Sequence, residues 1–424
     1  MSNQDHWDLV VIGGGAAGFF AAITCAEKAP GAAVLILEKT AHTLGKVKIS
    51  GGGRCNVTHA CFEAKALTEH YPRGGKSLIG PFHRWGAQDT VNWFQERGVE
   101  LKTEADGRMF PTTDSSQTII DCLQSSAQKA GVILKTSTAV VSVTADEADD
   151  VPDTIGDSVF TVTTNTGEKL KTRSLLLATG GTRLASGARL SESLGHELVP
   201  NVPSLFAFNI DDDRLESLAG VSVANASVSL MGIKLQAKGP LLITHHGLSG
   251  PGILKLSAWG ARHMHQLNYQ FTVSINWLPD VNVSETLNQE RSHHGKRKVC
   301  GRAPFEHFPK RLWKRLCIAS GIADDCIWSQ LSKENIRRLS QELIGGQFEV
   351  SGKSINKDEF VTCGGVKLND VNMTTLQSKI TAGLYFAGEV LDIDGITGGF
   401  NFQNAWTTGH LAGTAAAGKT QCSH

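Results

Sequence analysis

The chain contains 424 residues, of which 41% are hydrophobic and 19% are charged, and it carries 45 glycines. This composition is typical of a globular α/β protein with two domains or one large insertion, and it excludes a disordered or fibrous chain. Basic and acidic residues number 41 each, so overall charge gives no argument for a polyanionic partner. The apolar stretch near Met1 is interrupted by glycines, and no segment approaches the roughly 20 apolar residues of a membrane span. We therefore expect a soluble, cytoplasmic protein.

The nine cysteines are scattered along the chain and form no C-x-x-C pair. Zinc ribbons and dithiol redox centres normally need closely spaced cysteines, and no other spacing of His, Cys or carboxylates suggests a metal site. The cysteines are therefore interpreted as reduced thiols, and we expect no bound metal.

The first motif with chemical content is Gly13-x-Gly15-x-x-Gly18, which follows a predicted strand and opens an Ala-rich helix, with Glu38 at the end of the next predicted strand. Gly13 permits a tight turn, Gly15 lets the backbone approach a pyrophosphate, and Gly18 lets the helix pack close to the strand. The helix N-terminus would hold the phosphates, and Glu38 would accept hydrogen bonds from the adenosine ribose. We therefore predict a dinucleotide site, to which we also assign Ala16, Ala17 and Lys39.

Two later segments favour FAD over NAD as the dinucleotide. A predicted strand at residues 383–387 ends in Gly388-Glu389, and another at 175–178 ends in Ala178-Thr179-Gly180. In flavoproteins a late strand of this kind returns to the sheet and places a small residue and an acid against the ribityl chain and the pyrophosphate. Val140, from a strand predicted at 139–143, is assigned to the same site. No second G-x-G-x-x-G motif follows a strand, so NAD(P)H is expected to dock transiently as the reductant.

The glycine-rich segment 46–56 is the most distinctive part of the sequence. Its three consecutive glycines expose backbone amides beside basic residues, so it can hold phosphate or the electron-rich end of a reduced isoalloxazine. A mobile surface loop is the alternative. Cys55 is either a proton donor to the substrate or a small packed residue, and its neighbour Arg54 would favour the thiolate. The cofactor residues assigned here are Lys46, Ser50, Gly51, Gly52, Gly53, Arg54, Cys55 and Asn56.

A second glycine-rich segment lies at residues 395–403, just before a helical run predicted at 404–417. Its backbone amides would therefore sit at a helix N-terminus, where they can face the N1 and C2 carbonyl edge of the flavin. We assign Gly398, Gly399, Phe400 and Asn401 to the cofactor site.

The middle of the chain differs in character from both ends. Short β-like segments dominate residues 196–276, mainly helical and more basic segments dominate 277–345, and the βαβ pattern returns from residue 361. The prediction is therefore an α/β fold in which a Rossmann-like FAD-binding domain, residues 1–195 and 355–424, is interrupted by a β-barrel-like and helical domain at 196–354. The acidic stretch 146–157 is predicted to be an exposed hairpin connection.

His245 and His246 lie in a tight loop after a predicted strand of this insertion. Either could deliver a proton to a substrate carbon as hydride arrives, whereas the alternative is a purely structural role at a turn.

The stretch 291–315 is strongly basic, with one acid and several aromatic residues interleaved. Such a patch suits RNA or another polyanion, and the alternative is a solvated helix face. The basic residues are Arg291, Lys296, Arg297, Lys298, Arg302, Lys310, Arg311, Lys314 and Arg315.

Several of these motifs together resemble the BaiN/RdsA-like (YhiN-like) family of bacterial NAD(P)/FAD-dependent oxidoreductases. The resemblance rests on Ser-Gly-Gly-Gly-Arg-Cys-Asn at 50–56, Thr-His-His-Gly-Leu-Ser-Gly-Pro at 244–251, Gly-Glu-Val-Leu-Asp at 388–392 and Gly-Gly-Phe-Asn-Phe-Gln at 398–403. It covers nearly the whole chain. The family implies an FAD domain interrupted by an insert of β and helical parts.

The resemblance also implies a reaction, namely hydride addition to a C=C bond of a steroid-like substrate or of uridine in ribosomal RNA, which would give dihydrouridine. Our leading hypothesis is therefore hydride transfer from reduced flavin to an activated C=C bond, with His245, His246 or Cys55 as the proton donor. Two alternatives stay open. One is a flavin oxidase of a small amine or hydroxy substrate, and the other is an RNA-binding flavoprotein in which FAD is structural.

Overall fold

The computed structural model describes residues 6–145, 160–181, 185–354 and 361–421, so the predicted acidic connection at 146–157 lies outside the described residues. The chain divides into two compact units. The first comprises Met1–Val202 and Val361–His424, and the second comprises Pro203–Phe360. Among the described residues, no helix is both long enough and apolar enough to span a bilayer.

The bounds of the strands and helices are as follows. The strands are β1 His6–Ile12, β2 Val34–Leu37, β3 Thr58–His59, β4 Leu101–Thr103, β5 Arg108–Pro111, β6 Ile133–Lys135, β7 Val140–Ala145, β8 Phe160–Thr164, β9 Lys169–Leu177, β10 Leu198–Ser204, β11 Ala207–Asn209, β12 Ser222–Leu230, β13 Leu235–Thr244, β14 Gly247–Ser249, β15 Phe271–Asn276, β16 Gly346–Val350, β17 Gly352–Ser354, β18 Val361–Val366, β19 Val371–Asn372, β20 Gln377–Ser378 and β21 Leu384–Phe386. The helices are α1 Ala16–Lys28, α2 Gly45–Gly53, α3 Ala64–Thr68, α4 Gly75–Arg84, α5 Ala87–Gln95, α6 Ser116–Lys129, α7 Ala185–Ser193, α8 Pro251–Gln266, α9 Val283–His293, α10 Lys310–Ala319, α11 Lys333–Gly345 and α12 Phe400–Gln421.

The first unit is built on a sheet whose parallel core has the strand order β21-β9-β1-β2-β6. Strands β1 and β2 are almost entirely buried and rich in Val, Ile and Leu, as parallel strands covered on both faces must be. The late strand β21 returns to pair with β9, so both ends of the chain contribute to one sheet. This confirms the prediction of a Rossmann-like fold built from both chain ends.

Helices α1 and α12 pack together so closely that glycine is required on α12. A Cβ atom at Gly409 would lie 2.7 Å from the carbonyl oxygen of Ala17, and one at Gly413 would overlap the carbonyl of Ala21. Contacts advance in the same direction along both helices, so the N-terminal ends of α1 and α12 lie on the same side of the unit. The glycine motif at the start of α1 and the glycine-rich segment before α12 therefore lie at the same end of the first unit.

The second unit contains an antiparallel seven-stranded sheet with the order β16-β15-β12-β13-β14-β11-β17. Strands β16 and β17 stand at opposite ends of this order, yet only Ser351 separates them in the chain. The sheet must therefore curl until its two ends meet, which confirms the β-barrel-like prediction. Helix α8 interrupts the β-rich part and begins with Pro251, where proline is favoured in a first turn.

Candidate functional site

Four strand ends meet at one edge of the parallel sheet in the first unit. Ile12 of β1 is opposite Leu37 of β2 and Leu177 of β9, and Leu177 is in turn opposite Phe386 of β21. The loops that follow these strands therefore emerge side by side. They carry the glycine motif, Glu38, the Ala-Thr-Gly turn and Gly388-Glu389, all of which were predicted as cofactor residues. The carboxyl edge of such a sheet is where doubly wound folds bind ligands.

The three motif glycines have different roles in this edge. Gly13 has a φ of +116°, and a Cβ there would overlap the carbonyl oxygen of Ala178. A Cβ at Gly18 would overlap the carbonyl oxygen of Gly13, which shows how closely the helix packs on the turn. Gly15, in contrast, has no atom within 4 Å of a Cβ position. Gly13 and Gly18 are therefore required by the fold, whereas Gly15 borders open space.

That open space lies at the start of helix α1. The helix has no side-chain cap at Gly15 and no acidic residue in its first turn, so its positive end is left available to an anion. Ala16 and Ala17 form this first turn. A Cβ at Gly388, where φ is +76°, would come within 2.9 Å of the Ala17 side chain, so the end of β21 lies against the same turn. The arrangement fits the pyrophosphate of a dinucleotide.

The carboxylate of Glu38 is fixed beside the glycine turn. One oxygen accepts the backbone N–H of Gly14 at 2.8 Å, and the other accepts the backbone N–H and the hydroxyl of Thr40 at 2.9 and 2.8 Å. The backbone N–H of Thr138 donates to the carbonyl of Glu38 at 2.8 Å, which brings the start of the Val140 strand to this corner. Lys39 is exposed next to it. An oriented, half-buried carboxylate at this place suits a ribose hydroxyl.

Two further loops come together around Glu389, at the end of β21. Its carboxylate is paired with the ammonium of Lys46 on helix α2. A Cβ at Gly181, just after Thr179 and Gly180, would lie 3.9 Å from a Glu389 carboxylate oxygen. The glycine-rich segment, the Ala-Thr-Gly turn and the Gly-Glu strand end therefore surround one point of the sheet edge.

The segment that was predicted as a glycine-rich loop is partly helical. Helix α2 spans Gly45–Gly53 but kinks at Ser50, after which Gly51, Gly52 and Gly53 have φ values of 58°, 70° and 85°. Three successive left-handed residues explain why three glycines are needed, because other residues are strained there. Cβ positions at Gly52 and Gly53 border open space. The guanidinium of Arg54 is bonded to Glu104 at 2.6 Å and lies 4.0 Å from the centre of the Phe110 ring.

Cys55 is fully buried, and burial raises its pKa to about 12. The expectation that Arg54 favours the thiolate form of Cys55 is therefore wrong. Burial removes the hydration that a thiolate needs, and the guanidinium of Arg54 is already paired with Glu104. A neutral, buried thiol matches the alternative of a packed residue.

The two glycine-rich motifs of the sequence are bound to each other. In the orientation that satisfies both of its ends, the Asn56 side chain accepts the N–H of Gly399 and donates to the carbonyl of Thr58, each at 3.0 Å. The Asn401 side chain accepts the N–H of Gly395 at 2.8 Å and donates to the carbonyl of the same residue at 3.0 Å. Both amide side chains therefore brace the segment 395–399. The N–H of Gly399 is bonded to Asn56, and its carbonyl accepts the N–H of Gln403 at 2.9 Å, so the backbone of Gly399 is engaged within the protein.

Several residues that the sequence did not identify contact the two ends of this segment, Asp394 and Phe400. Asp394 is fully buried and paired with Arg73, 321 positions away. The ring of Phe400 stacks on His59 at 4.8 Å and on His70 at 4.2 Å between ring centres, and the Tyr71 hydroxyl donates to the Phe400 carbonyl. Only the fold brings these partners together, so no local sequence signal could have identified them.

His245 and His246 belong to the second unit, where they form the exposed turn between β13 and β14. Thr244 pairs with Gly247 across this two-residue turn, and Gly247 has a φ of +141°. The carbonyl of His246 accepts the backbone N–H of Ile210 at 2.9 Å, whereas both imidazoles remain accessible.

The basic stretch 291–315 also lies in the second unit and divides into two faces. Phe305, Phe308 and Trp313 are buried in the core, so these aromatic rings cannot stack on bases. Arg311 donates to the carbonyl of Ser217, while the following two cations have acidic partners, Lys314 with Asp324 and Arg315 with Glu216. The exposed cations are Lys296, Arg297, Lys298, Arg302, Lys310, Arg311 and Lys314, of which the last two have the partners just named.

The fold and the site define a dinucleotide-binding flavoprotein. The family model described as "HI0933-like protein Rossmann domain" matches residues 7–415, and the chain belongs to this family of FAD-dependent oxidoreductases. The resemblance to the BaiN/RdsA-like flavoproteins is thus confirmed.

Curated relatives match over almost their full length. The chain is 31% identical over 415 residues to the ribosomal RNA dihydrouridine synthase of Escherichia coli K12, covering 96% of each chain. It is 28% identical over 421 residues to the 3-dehydro-bile acid delta(4,6)-reductase of Clostridium scindens, covering 96% of this chain and 98% of the relative.

Solved structures agree on the fold. A flavocytochrome c3 fumarate reductase matches with a TM-score of 0.51 at 18% identity, over 98% of this chain and 79% of the other. The 3-ketosteroid-delta4-(5alpha)-dehydrogenase of Rhodococcus jostii RHA1 matches with a TM-score of 0.50 at 15% identity, over 98% of both chains.

Proposed function

We propose that this flavoenzyme reduces an activated C=C bond and that its substrate is a uracil base of ribosomal RNA, which it would convert to dihydrouracil. The proposal is supported above all by the full-length similarity to two relatives whose names both describe reduction of such a bond. When bound, FAD supplies the hydride for this chemistry, and NAD(P)H is the reductant that we propose for the flavin.

Four sets of groups from these loops are proposed to hold the cofactor. The first-turn amides of α1, at Ala16 and Ala17, would hold the pyrophosphate next to Gly15, and Glu38 would accept from the adenosine ribose. Lys46 on α2 and Glu389 after the end of β21 would orient the ribityl part. The backbone of Gly398, just before the N-terminus of α12, would face the flavin pyrimidine.

Replacing Glu38 tests the ribose assignment. We expect Glu38→Ala to weaken FAD binding about ten- to hundredfold, because a charged hydrogen bond of about 1.5–3 kcal/mol is lost. Calorimetric titration of the apoprotein with FAD measures the change in affinity. The exposed Glu96, at the C-cap of α5, provides the control, since Glu96→Ala removes the same group from outside the loops that follow β1, β2, β9 and β21. Equal FAD affinity in the Glu38 variant and the wild type contradicts the assignment.

Hydride addition to a C=C bond also needs a proton, and we propose His245 or His246 as its source. Positioned acids contribute roughly 10²–10⁴ to a rate, so His245→Asn combined with His246→Asn should slow substrate reduction about a hundredfold. Anaerobic stopped-flow absorbance of the bound FAD measures this step. His293→Asn, another exposed histidine of the same unit, should leave the rate unchanged. An unaltered rate in the double variant removes the proposal.

The exposed cations at 296–298 are proposed to contact the phosphates of the RNA substrate. Removing Lys296, Arg297 and Lys298 together should lower RNA affinity and reduce the slope of log affinity against log salt by about two to three. Filter binding across a salt series measures both. The matched control replaces Lys76, Lys129 and Lys169, three exposed lysines of the first unit, so that the same number of positive charges is removed. Equal salt slopes for the two variants mean that the patch is only a solvated surface.

A further inference from the structure

Helix α8 of the second unit carries one aromatic and several basic side chains along its outer face. Their spacing places them within roughly a third of the circumference of a helix with 3.6 residues per turn. None of the 16 residues of α8 is acidic. We call this set the α8 stripe, and it consists of the half-buried or exposed residues Lys255, Trp259, Arg262, His263 and Gln266.

Trp259 differs from the other tryptophans of the chain in its exposure. Of the eight tryptophans, six are buried at 6% exposure or less, and Trp85 is half-buried, with its indole N–H bonded to Thr90. Trp259 is 46% exposed. An indole combines a large apolar face with a polar edge, so an exposed one is well suited to contact a partner.

Close packing of α8 on strand β13 fixes which face of the helix is exposed. A Cβ at Gly252 would lie 2.9 Å from the Leu241 side chain, and one at Gly260 would lie 2.9 Å from the Leu235 side chain. Two glycines therefore let the helix lie directly against the strand. Trp259 precedes the second of them and is held outward by a packed helix and not by a loop.

The charges around Trp259 favour an anionic partner. Lys255 lies about one turn before Trp259, and Arg262 and His263 lie about one turn after it. Lys255 and Arg262 are about 10 Å apart along the helix axis, at a rise of 1.5 Å per residue. A surface with cations on both sides of an aromatic ring, and with no carboxylate on the same helix, is complementary to a nucleic-acid strand.

We propose that the α8 stripe binds an unpaired segment of the RNA substrate, with one base stacked on Trp259 and with Lys255 and Arg262 against the phosphates. The proposal rests on the proposed function, because a uracil that receives hydride must first leave its stack. A base inside a duplex is covered on both faces, so stacking on an indole selects unpaired RNA. Phosphate contacts alone, as proposed at 296–298, do not make this distinction.

The test is fluorescence anisotropy of the full-length protein with a short labelled oligouridine and with a labelled RNA duplex of the same length. Trp259→Leu keeps an apolar side chain but cannot stack, so we expect it to weaken oligouridine binding at least about fivefold and to leave duplex binding unchanged. Trp259→Phe should retain most of the affinity. Ile344→Ala on α11, where Ile344 is 45% exposed, is the control and should bind both RNAs as the wild type does.

Lys255→Ala tests the charges of the α8 stripe separately from the stacking. It should reduce the slope of log affinity against log salt by about one for oligouridine. Circular dichroism verifies the folding of each variant, and Trp259→Ala serves as a second variant if Trp259→Leu does not fold.

The proposal is overturned if Trp259→Leu binds oligouridine as tightly as the wild type. The exposed Met231 and Ile233, which precede Leu235, would then assign this face to a protein contact instead. It is equally overturned if binding of both RNAs falls by the same factor. These measurements need no flavin turnover, so such results leave the proposed reaction intact. A wild type that binds neither RNA contradicts the RNA substrate as well as the α8 stripe.

Discussion

A Gly15→Ala variant is expected to fold normally and to bind FAD more weakly. The added methyl group meets no atom within 4 Å, and the φ of −94° at this residue is accessible to alanine. The methyl would nevertheless occupy the space in which the pyrophosphate approaches the helix amides. Loss of one such charged hydrogen bond costs about 1.5–3 kcal/mol, so FAD affinity should fall about ten- to hundredfold. Calorimetric titration of the apoprotein with FAD, together with its melting temperature, measures both effects.

The control for this prediction is Gly80→Ala on helix α4. Gly80 likewise has no atom within 4 Å of a Cβ position, but it is exposed on the helix surface. The substitution should leave FAD affinity unchanged. If Gly15→Ala binds FAD as tightly as Gly80→Ala does, the phosphate does not lie at the start of α1 and the proposed cofactor position is wrong.

An Asp394→Asn variant is expected to destabilise the first unit strongly. The carboxylate is fully buried and paired with Arg73, which is itself only 13% exposed. Removing one member of a buried ion pair typically costs about 3–5 kcal/mol, because the remaining charge loses its counter-charge in a dry environment. The substitution should also loosen the segment 395–399 and lower FAD occupancy. Differential scanning calorimetry measures the loss of stability.

Two comparisons separate the ion pair from general disruption. Glu27→Gln breaks a pair with Arg97 in which the carboxylate side chain is 40% exposed, and it should change stability by no more than about 1 kcal/mol. The double variant Arg73→Met and Asp394→Asn should lose less stability than the sum of the two single variants. Additive losses, or a loss from Asp394→Asn no larger than that from Glu27→Gln, contradict the importance assigned to this pair.

The parts of the fold that the sequence predicts best are those with local signals. Gly13, Gly18 and Glu38 lie within one βαβ unit, and the structure places them as that unit requires. The return of β21 to the sheet was also predictable, because a short apolar strand ending in Gly-Glu has a recognised place in flavoproteins. The barrel-like insert followed from alternating β-like segments, although its closure through Ser351 depends on the order of all seven strands.

Other features depend on contacts between distant parts of the chain and could not be predicted. Arg54 adjoins Cys55 in sequence, which suggested a thiolate, but tertiary packing buries the thiol and pairs the guanidinium with Glu104. Asn56 and Asn401 looked like ligand-binding side chains, whereas their amides brace the segment 395–399. Sequence spacing shows which residue types are present, but burial and pairing decide which atoms stay free for a ligand.

The same limit applies to the basic stretch. Its interleaved aromatics favoured an RNA surface in the sequence, yet Leu312, Trp313 and Leu316 form the buried face of α10. The cations therefore lie on the outer side of an ordinary amphipathic arrangement. An electrostatic contact with phosphates remains our proposal, whereas base stacking by these rings does not.

Reduction of a C=C bond by the flavin is measured by anaerobic stopped-flow absorbance of the FAD-loaded protein. The flavin is first reduced with NADH or NADPH and then mixed separately with unmodified ribosomal RNA, a small enone and oxygen. We expect rapid return of the oxidised flavin absorbance with the RNA, accompanied by dihydrouridine in the recovered nucleosides. Rapid reoxidation by oxygen alone, with no reaction of RNA or enone, would contradict C=C reduction and favour an oxidase or a structural flavin.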